Sequence, residues 1–511
     1  MTSRKTLAAT ASALALCLGV PAQADTLQEA LQSAYLENPT LAAARANLRA
    51  TDEGVPIESA AGRPNVAATG TYIEFLRPSA NSFFAPNRVL NGGVDLDVPL
   101  YQGGAVKNAV RAAEQRVIAG RADLRATESA IFSRAVAAYM DVLAQEAVVA
   151  LSQTQVDVLD VNLQATQDRF EIGILTRTDV AQSESRLATA RSDLLAARAN
   201  LINARETYIA VVGEAPTDLQ PPPPLPGLPT DVETAVDIAL ENNPDIIAAR
   251  ERAEAAGFDI AVAGSGRLPR LSAFAGYDYQ NALGSIPATR LDPTDPTSPV
   301  IASDQLATGI QAGARLTIPL FQGGRPAALQ RQAQARAGAA LEQAIATERD
   351  VIADVRAAFA SYRASLAIIE STQAAIDAAA LSLEGVQAEQ SIGNRQILDV
   401  LNAEQELRST QVQLIRARRD AYIAGFSLLA AMGRAEARDL GLDEGVLYDP
   451  VVNYERVDNS WFDWSRDPDP VAQSTRTLDI PAQDAIIGPV EETLDTVQPA
   501  TRPAPMGPDG L

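Results

Sequence analysis

The sequence predicts a mainly α-helical chain with a small β part, built from four strands and internally duplicated, very long coiled-coil helices. Three observations predict this. A seven-residue stretch occurs twice, as VPLYQGG at Val98–Gly104 and IPLFQGG at Ile318–Gly324, each ending strand-like alternation and opening a helical pattern. Beyond that junction the halves stay in register: an offset of 220 carries Gly173 onto Gly393, Asp179 onto Asp399, Val180 onto Val400, Glu184 onto Glu404, Leu187 onto Leu407 and Gly213 onto Gly433. From Gly104 to Ile172 no Pro interrupts and Gly120 is the only internal Gly, so one helix of roughly 100 Å is expected. Few globular helices approach that length. The repeat unit is far longer than a solenoid period, so each half is a complete module.

The chain begins with a secretory signal pattern over residues 1–24. Arg4 and Lys5 form the positive region, Leu7 to Val20 is apolar, and Ala22-Gln23-Ala24 is an A-x-A cleavage site before Asp25. The sole cysteine, Cys17, lies inside that segment and follows Leu16, where a lipoprotein signal needs a small residue. No later stretch has eighteen consecutive apolar residues, so no transmembrane helix is expected. An exported chain of this kind is either soluble outside the cytoplasm or spans a membrane as strands.

The first module covers 25–213. Residues 26–38 form a short helix stopped at Asn38-Pro39, because Pro disfavours helix in the residue before it. Helix resumes over 40–61. The second module, 231–433, opens in the same way, with helix from Val232 to Asn242, Asn243-Pro244, then helix to about Ala263. Next come four segments of about ten residues: 66–75, the alternation Val94, Leu96, Val98, Leu100, then 271–280, and Ile310 to Leu320. That is the length at which a tilted strand crosses a bilayer. Alternation alone also fits any half-buried antiparallel sheet, with Asp95, Asp97 and Arg315 in bulk water. The loops at 76–90 and 281–306 are rich in Asn, Pro and Ser.

After each QGG the period becomes helical. Val110, Val117, Leu124 and Ile131 are spaced by seven, as are Val142, Val149, Val156, Leu163 and Phe170; the eleven-residue step between the series is a stutter of four in a coiled coil. A turn at Gly173 leads to a second helix, about Thr178 to Val212, seamed by Val180, Leu187, Leu194, Leu201 and Tyr208. Each half therefore folds as an antiparallel coiled-coil hairpin. The returning helix is about thirty residues shorter than the first, and the helix over 40–61 can stack end to end with it. A Pro-rich linker at 214–230 separates the modules. The extension 434–511 is rich in Asp, Pro and Thr from about 449 on and reads as largely disordered, with Trp461, Phe462 and Trp464 as candidates for local docking.

Composition excludes several function classes. There is no His and the formal net charge is -22. Imidazole or thiolate catalysis and His/Cys metal sites are excluded, and the anionic excess argues against nucleic acid. The residues assign no catalytic group, cofactor or metal. Four bilayer-length strands cannot close a barrel, and open edges in lipid are forbidden. If they cross a membrane, two or three chains must share one barrel, continued by a tube of paired coils. Pro99 and Pro319 suit a strand end, where a ladder N–H is not needed. Tyr101 and Phe321 fall where an interfacial aromatic belt would lie, or pack under the sheet. Gly103-Gly104 and Gly323-Gly324 complete the junctions.

On these residues the chain resembles the TolC family of outer-membrane efflux and type I secretion proteins across 26–433: the duplication, both Asn-Pro breaks, both QGG junctions and both hairpin tips. The resemblance implies a homotrimer, with a twelve-stranded transmembrane β-barrel continued by an α-helical periplasmic tunnel. It implies a passive outer-membrane exit duct in a Gram-negative cell, largely periplasmic. A periplasmic adaptor would join it to an inner-membrane transporter of ABC or RND type. It implies no enzyme activity and places 434–511 in the periplasm. The tunnel's closed end would be the tips, Phe170 to Asp179 and Gln390 to Asp399, turned at Gly173 and Gly393. In the family a Thr-Asp pair and an Arg hold the tip shut, matching Thr178, Asp179 and Arg395, and acids form a constricting ring, matching Asp399. Two positions depart: Asn402 stands at the second ring acid and Gln390 at the aromatic partner of the Thr-Asp pair. Asp179 and Asp399 also fit plain helix N-terminal capping. A structural stalk or adhesin that merely displays its loops is the rival reading.

Overall fold

A computed structural model of the chain describes residues 25–76, 86–292, 294–442 and 447–483. The signal pattern at 1–24, most of the 76–90 loop and the end of the extension lie outside the described residues. The first module runs through α1 (Leu27–Glu37), α2 (Pro39–Asp52), α3 (Gly54–Ala60), β1 (Asn65–Glu74), β2 (Arg88–Tyr101), α4 (Ala105–Glu171) and α5 (Arg177–Val212). The second runs through α6 (Val232–Asn242), α7 (Pro244–Gly264), a 3-10 turn at Ser265–Arg267, β3 (Arg270–Asn281), β4 (Thr289–Arg290), β5 (Val300–Ile301), β6 (Leu306–Thr317), α8 (Arg325–Ser391) and α9 (Ile397–Ala431). A further helix, α10 (Pro450–Val457), follows.

The long helices form where the sequence places them, and α4 and α8 are each 67 residues. Each starts on a glycine pair in left-handed geometry, with φ +64° and +78° at Gly103 and Gly104 and +59° and +82° at Gly323 and Gly324. Only glycine adopts two such residues in a row without strain. The helix expected over 40–61 is broken instead. Pro56 cannot donate to the carbonyl of Asp52, and its ring would clash there, so α2 ends at Asp52 and α3 begins at Gly54.

The end-to-end stacking has an atomic cause in the Asn-Pro pairs. Asn38 Oδ1 accepts from the N–H groups of Thr40 and Leu41, capping α2, while Asn38 Nδ2 donates 2.9 Å to the carbonyl of Val211 at the end of α5. Asn243 repeats this, capping α7 through Asp245 and Ile246 and donating 2.9 Å to the carbonyl of Ala431 at the end of α9. One buried amide thus satisfies orphan groups of two helix ends, and the Pro at the first helical position costs no hydrogen bond.

β1, β2, β3 and β6 form one antiparallel sheet in that order. Its register sorts the side chains. Thr69, Thr71, Asn91, Asp95, Asp97, Asp278, Gln280, Gln311 and Arg315 share one face, and Val66, Tyr72, Leu90, Val94, Leu96, Val98, Tyr277, Ile310 and Leu316 share the other. β1 and β6 are left as edges. β2 continues through Pro99 to Tyr101 with a register irregularity, whereas β6 stops at Thr317, short of the expected Leu320. Pro319 offers no N–H to extend the ladder. The 281–306 loop carries the small β4–β5 pair, which its composition did not predict.

The main core lies at mid-length of the long helices, where α1 and the linker meet α4 and α6 meets α8: Phe132, Val136, Tyr139 and Val142 share one cluster with Leu31, Tyr35, Ala235 and Phe426. The Tyr139 hydroxyl reaches the carbonyls of Asp25 (3.0 Å) and Gln220 (2.7 Å), tying both connections to α4. Along the predicted seam Val117, Leu124, Ile131 and Val142 are buried, but Phe170 is exposed. α4 and α8 each contain an 18-residue window apolar enough to cross a membrane, with mean hydropathy 1.4 and 1.3. Half of the α4 window is buried inside the chain and none of the α8 window is, so α8 presents Leu329, Leu341, Ile345, Leu366, Ile368 and Leu381 uncovered.

Composition misjudges the extension over its described part. Residues 434–442 complete the core through Ala435, Ala437 and Leu442. Asn453 of α10 then donates 2.7 Å to buried Asp52, Thr475 donates to Glu37, and the Gln483 N–H donates to Glu206. Low hydrophobicity removes the drive for an independent core, but it does not prevent docking on a surface that offers polar partners.

Candidate functional site

At the far end of α4 and α8 from the sheet, the two hairpin tips are built alike. Gly173 sits at φ +78° and Gly393 at φ +81°. The Gly173 N–H donates to the carbonyl of Phe170 and the Ile174 N–H to that of Arg169; Gly393 and Asn394 do the same toward Gln390 and Glu389. Both are Schellman turns, which close the orphan carbonyls of a helix C-terminus and require a left-handed residue, here Gly. The backbone of Gln390 is thus part of the turn whatever its side chain does.

The tips diverge at the start of the returning helix. Thr176, not Thr178, is the N-cap of α5. Asp179 Oδ2 accepts from the Thr176 N–H (2.8 Å) and hydroxyl (2.7 Å), and Thr176 Oγ1 accepts from the Asp179 N–H, a complete capping box. At the equivalent place Gln396 makes no side-chain cap. Asp399 is free of that duty and faces Arg395 at 3.9 Å, while Arg395 Nε donates 2.6 Å to Glu389. Arg395 therefore spans its own turn from the end of α8 to the start of α9. These carboxylates push its already high pKa higher, Glu389 first. Asp179 makes a hydrogen-bonded cap, whereas Asp399 makes none and sits as a first-turn acid of α9 beside Arg395. Thr178 is exposed on the first turn of α5. Within one chain, Asp179 and Arg395 are thus engaged by their own tips.

About two turns above the tips the hairpins are cross-linked. Arg186 of α5 donates 2.7 Å to Asn402 of α9 and also to Gln405. Asn162 of α4 donates to both oxygens of buried Glu404, at 3.2 and 3.4 Å. Burial pushes the Glu404 carboxyl above its ordinary range, and the Asn162 bond offsets part of this. Higher up, Arg408 reaches Asp193 at 2.8 Å. A small apolar contact of Leu159, Leu187, Ala190 and Leu401 joins the same helices. Sequence reasoning singled out Asp179, Arg395, Asp399 and Asn402 but missed Thr176, Glu389, Arg186 and Glu404's partner Asn162. The T-R-T-D spacing was a readable signal for Thr176. The cross-hairpin pairs left none, since they join residues more than two hundred positions apart.

At the other end, the two glycine-pair junctions differ in surroundings. A Cβ on Gly103 would come within 2.8 Å of Leu268, whereas Gly323 has open space around it, as does Gly324. Tyr101 is half exposed and Phe321 nearly fully so.

The model of a family described as "Outer membrane efflux protein" matches residues 30–214 and 235–434. The chain is 34% identical to the outer membrane efflux protein BepC of Brucella suis over 447 residues, covering 87% of this chain and 93% of that protein. It is 26% identical to the outer membrane protein TolC of Vibrio cholerae, covering 82% of this chain and 92% of that one. It is 24% identical to the alkaline protease secretion protein AprF of Pseudomonas aeruginosa, covering 68% and 70%. Among solved structures, CusC superposes with a TM-score of 0.69 at 18% identity, covering 80% of this chain and 92% of that one. VceC of Vibrio cholerae does so at 0.67 and 22%, covering 80% and 96%.

Proposed function

Because the chain belongs to the outer membrane efflux protein family, we propose that three copies form a passive, gated exit duct across the outer membrane and periplasm. The observation that carries the proposal is the sheet. It is open at both edges, with one face polar and the other apolar, and each strand pair leads through a glycine pair into a hairpin about 100 Å long. Strand directions alternate along β1-β2-β3-β6, so β6 of one copy can pair antiparallel with β1 of the next. Three copies make twelve strands, with Asp95, Asp97, Asp278 and Arg315 lining a wet lumen and the apolar face in lipid. The same ring covers the exposed apolar side chains of α8. Residues 1–24 are removed on export, 25–213 and 231–433 are the repeated modules joined by the 214–230 linker, and 434–511 is a periplasmic extension.

The duct performs no covalent chemistry and needs no cofactor. A periplasmic adaptor and an inner-membrane ABC or RND-type pump supply its energy and largely set its cargo, small molecules or proteins. The tips are the gate. Opening separates the hairpins, which requires releasing the Arg186–Asn402 and Asn162–Glu404 contacts; the ties of Arg395 to Glu389 and Asp399 lie within one tip and fix its shape at the constriction. Threefold symmetry repeats Asp399 three times around the constriction, while Asn402, neutral and held by Arg186, adds no charge to the ring. Reconstitution of the purified chain into planar bilayers tests the proposal. It expects discrete, long-lived conductance steps, and a chain that binds bilayers without conducting refutes it.

A further inference from the structure

The described part of the C-terminal extension runs up the molecule and back down. It rises along α10, where Asn453 bonds Asp52 at the end of α2 and Tyr454 packs against Val55, Ala113 and Val117. It turns beside Arg63, whose guanidinium donates to the carbonyl of Ser460 and lies 4.7 Å over the Trp461 ring. It then descends to Glu37 through Thr475 and to Glu206 on α5 through Gln483. The turn is therefore its highest point. Arg63 lies two residues before the start of β1, and neighbouring Gly62 sits so close to Val106, at the start of α4, that a Cβ would come within 3.1 Å. The turn thus stands level with the junction where sheet gives way to helices.

At that turn stand Trp461, Phe462 and Trp464, 66%, 70% and 86% exposed. Three adjacent aromatic rings left in water are unfavourable by about 25 cal/mol per Å2 of apolar surface, and among the described residues Trp461 alone of the three has a ring partner, Arg63. Indole prefers the boundary between headgroups and acyl chains, with its apolar body in and its N–H out. The extension also stays on the α1 side of the helical wall, with Tyr448 N–H on the Tyr35 hydroxyl and Gln28 on the carbonyl of Gly441. A lumen must remain open, so in the proposed duct this is the outer side.

We propose that the Trp461–Trp464 segment is an interfacial membrane anchor that seats in the headgroup region of the periplasmic leaflet of the outer membrane. It rests on the duct reading for which side is outer. The surface it fits is zwitterionic phospholipid. The nearby cations are engaged by the extension itself, Arg456 by Asp467 (2.9 Å), Arg466 by Asp469 (2.5 Å), and Arg63 by the Ser460 carbonyl and the Trp461 ring, so a lone guanidinium rather than a positive patch faces the lipid, and aromatic insertion supplies the affinity. The anchor holds the extension against the barrel base.

Trp461 and Trp464 are the only two Trp in the chain, so tryptophan emission reads this segment alone. The full chain is reconstituted into phosphatidylcholine vesicles whose acyl chains are brominated either near the headgroup or near the terminal methyl, and conductance is recorded on the same vesicles. Headgroup-proximal bromine is expected to quench about half of the emission, chain-end bromine clearly less, and aqueous iodide less than it quenches free tryptophan. Full iodide access with no bromolipid quenching overturns the anchor. So does protection from both quenchers, which would mean that a second copy of the chain covers the rings. Conducting vesicles with unquenched tryptophan reject the anchor and leave the duct. Quenched tryptophan without conductance rejects the duct and leaves the lipid contact.

Discussion

Replacing Asn38 tests whether one side chain joins two helices. Its Oδ1 caps α2 and its Nδ2 bonds the carbonyl of Val211, and it is buried. Asn38→Ala removes the cap, at about 1 kcal/mol, and leaves a buried carbonyl unsatisfied, at about 1–3 kcal/mol. The sum, about 2–4 kcal/mol, corresponds to a roughly thirty- to several-hundred-fold rise in the opening of the joint. Hydrogen-exchange mass spectrometry reads it at the last turn of α5, where the Gly213 N–H bonds Ile209 and the mutation removes no bond of those amides directly. Asn38→Asp separates the two roles. The carboxylate still caps Thr40 and Leu41 but cannot donate to Val211, so it speeds exchange in the α5 turn while sparing the start of α2. If the α5 turn of Asn38→Asp exchanges like wild type, the joint contributes nothing and the stacking argument is wrong. Asn243, with the same bonds to Ala431, must behave in parallel.

Gly103→Ala forces a Cβ to 2.8 Å from Leu268 at φ +64°, whereas Gly323→Ala meets only the backbone strain. The first should cost about 3 kcal/mol and the second about 1–2 kcal/mol, and equal drops in melting temperature would contradict this. Glu404's carboxyl is raised by burial, so its charged form is disfavoured in the fold and wild type loses stability as pH rises from the ordinary carboxylate range through the folded pKa. Glu404→Gln should be the more stable protein above that window and match wild type below it; a pH-independent difference in melting temperature rules the cause out. Arg395→Ala removes the ties to Glu389 and Asp399 that shape an exposed tip, so it should leave the melting temperature essentially unchanged yet raise conductance of the reconstituted channel, where the tips close the duct. The tip reading fails if neither it nor Asp179→Ala opens more readily than wild type. Divalent cations should block wild type more strongly than Asp399→Ala; equal block would mean that Asp399 lines no constriction.

Periodicity and punctuation made most of the architecture legible. A change from period two to a helical repeat at each QGG placed the sheet-to-helix junctions, Gly173 and Gly393 placed the tips, and heptads placed α4, α5, α8 and α9, because these signals are local and set by backbone sterics. The same locality explains the misses. Pro56 splits the second helix, and its signal was present but unread. The docking of 447–483 depends on Asp52, Glu37 and Glu206, hundreds of residues away, which no compositional window sees.

By itself the sequence determined that this chain is a duplicated strand-and-hairpin module of the outer membrane efflux family, since the repeat and its junction glycines are conditions on φ, ψ and hydrophobic period. Only the tertiary structure decided which groups act together. It put Asp179 into a cap with Thr176 and left Asp399 to Arg395, because one tip has Thr and the other Gln at the capping position. It sorted the strands' polar and apolar faces through their mutual register. It also gave the Asn-Pro breaks their purpose, since the partner carbonyls of Val211 and Ala431 reach Asn38 and Asn243 only when the hairpin has folded back.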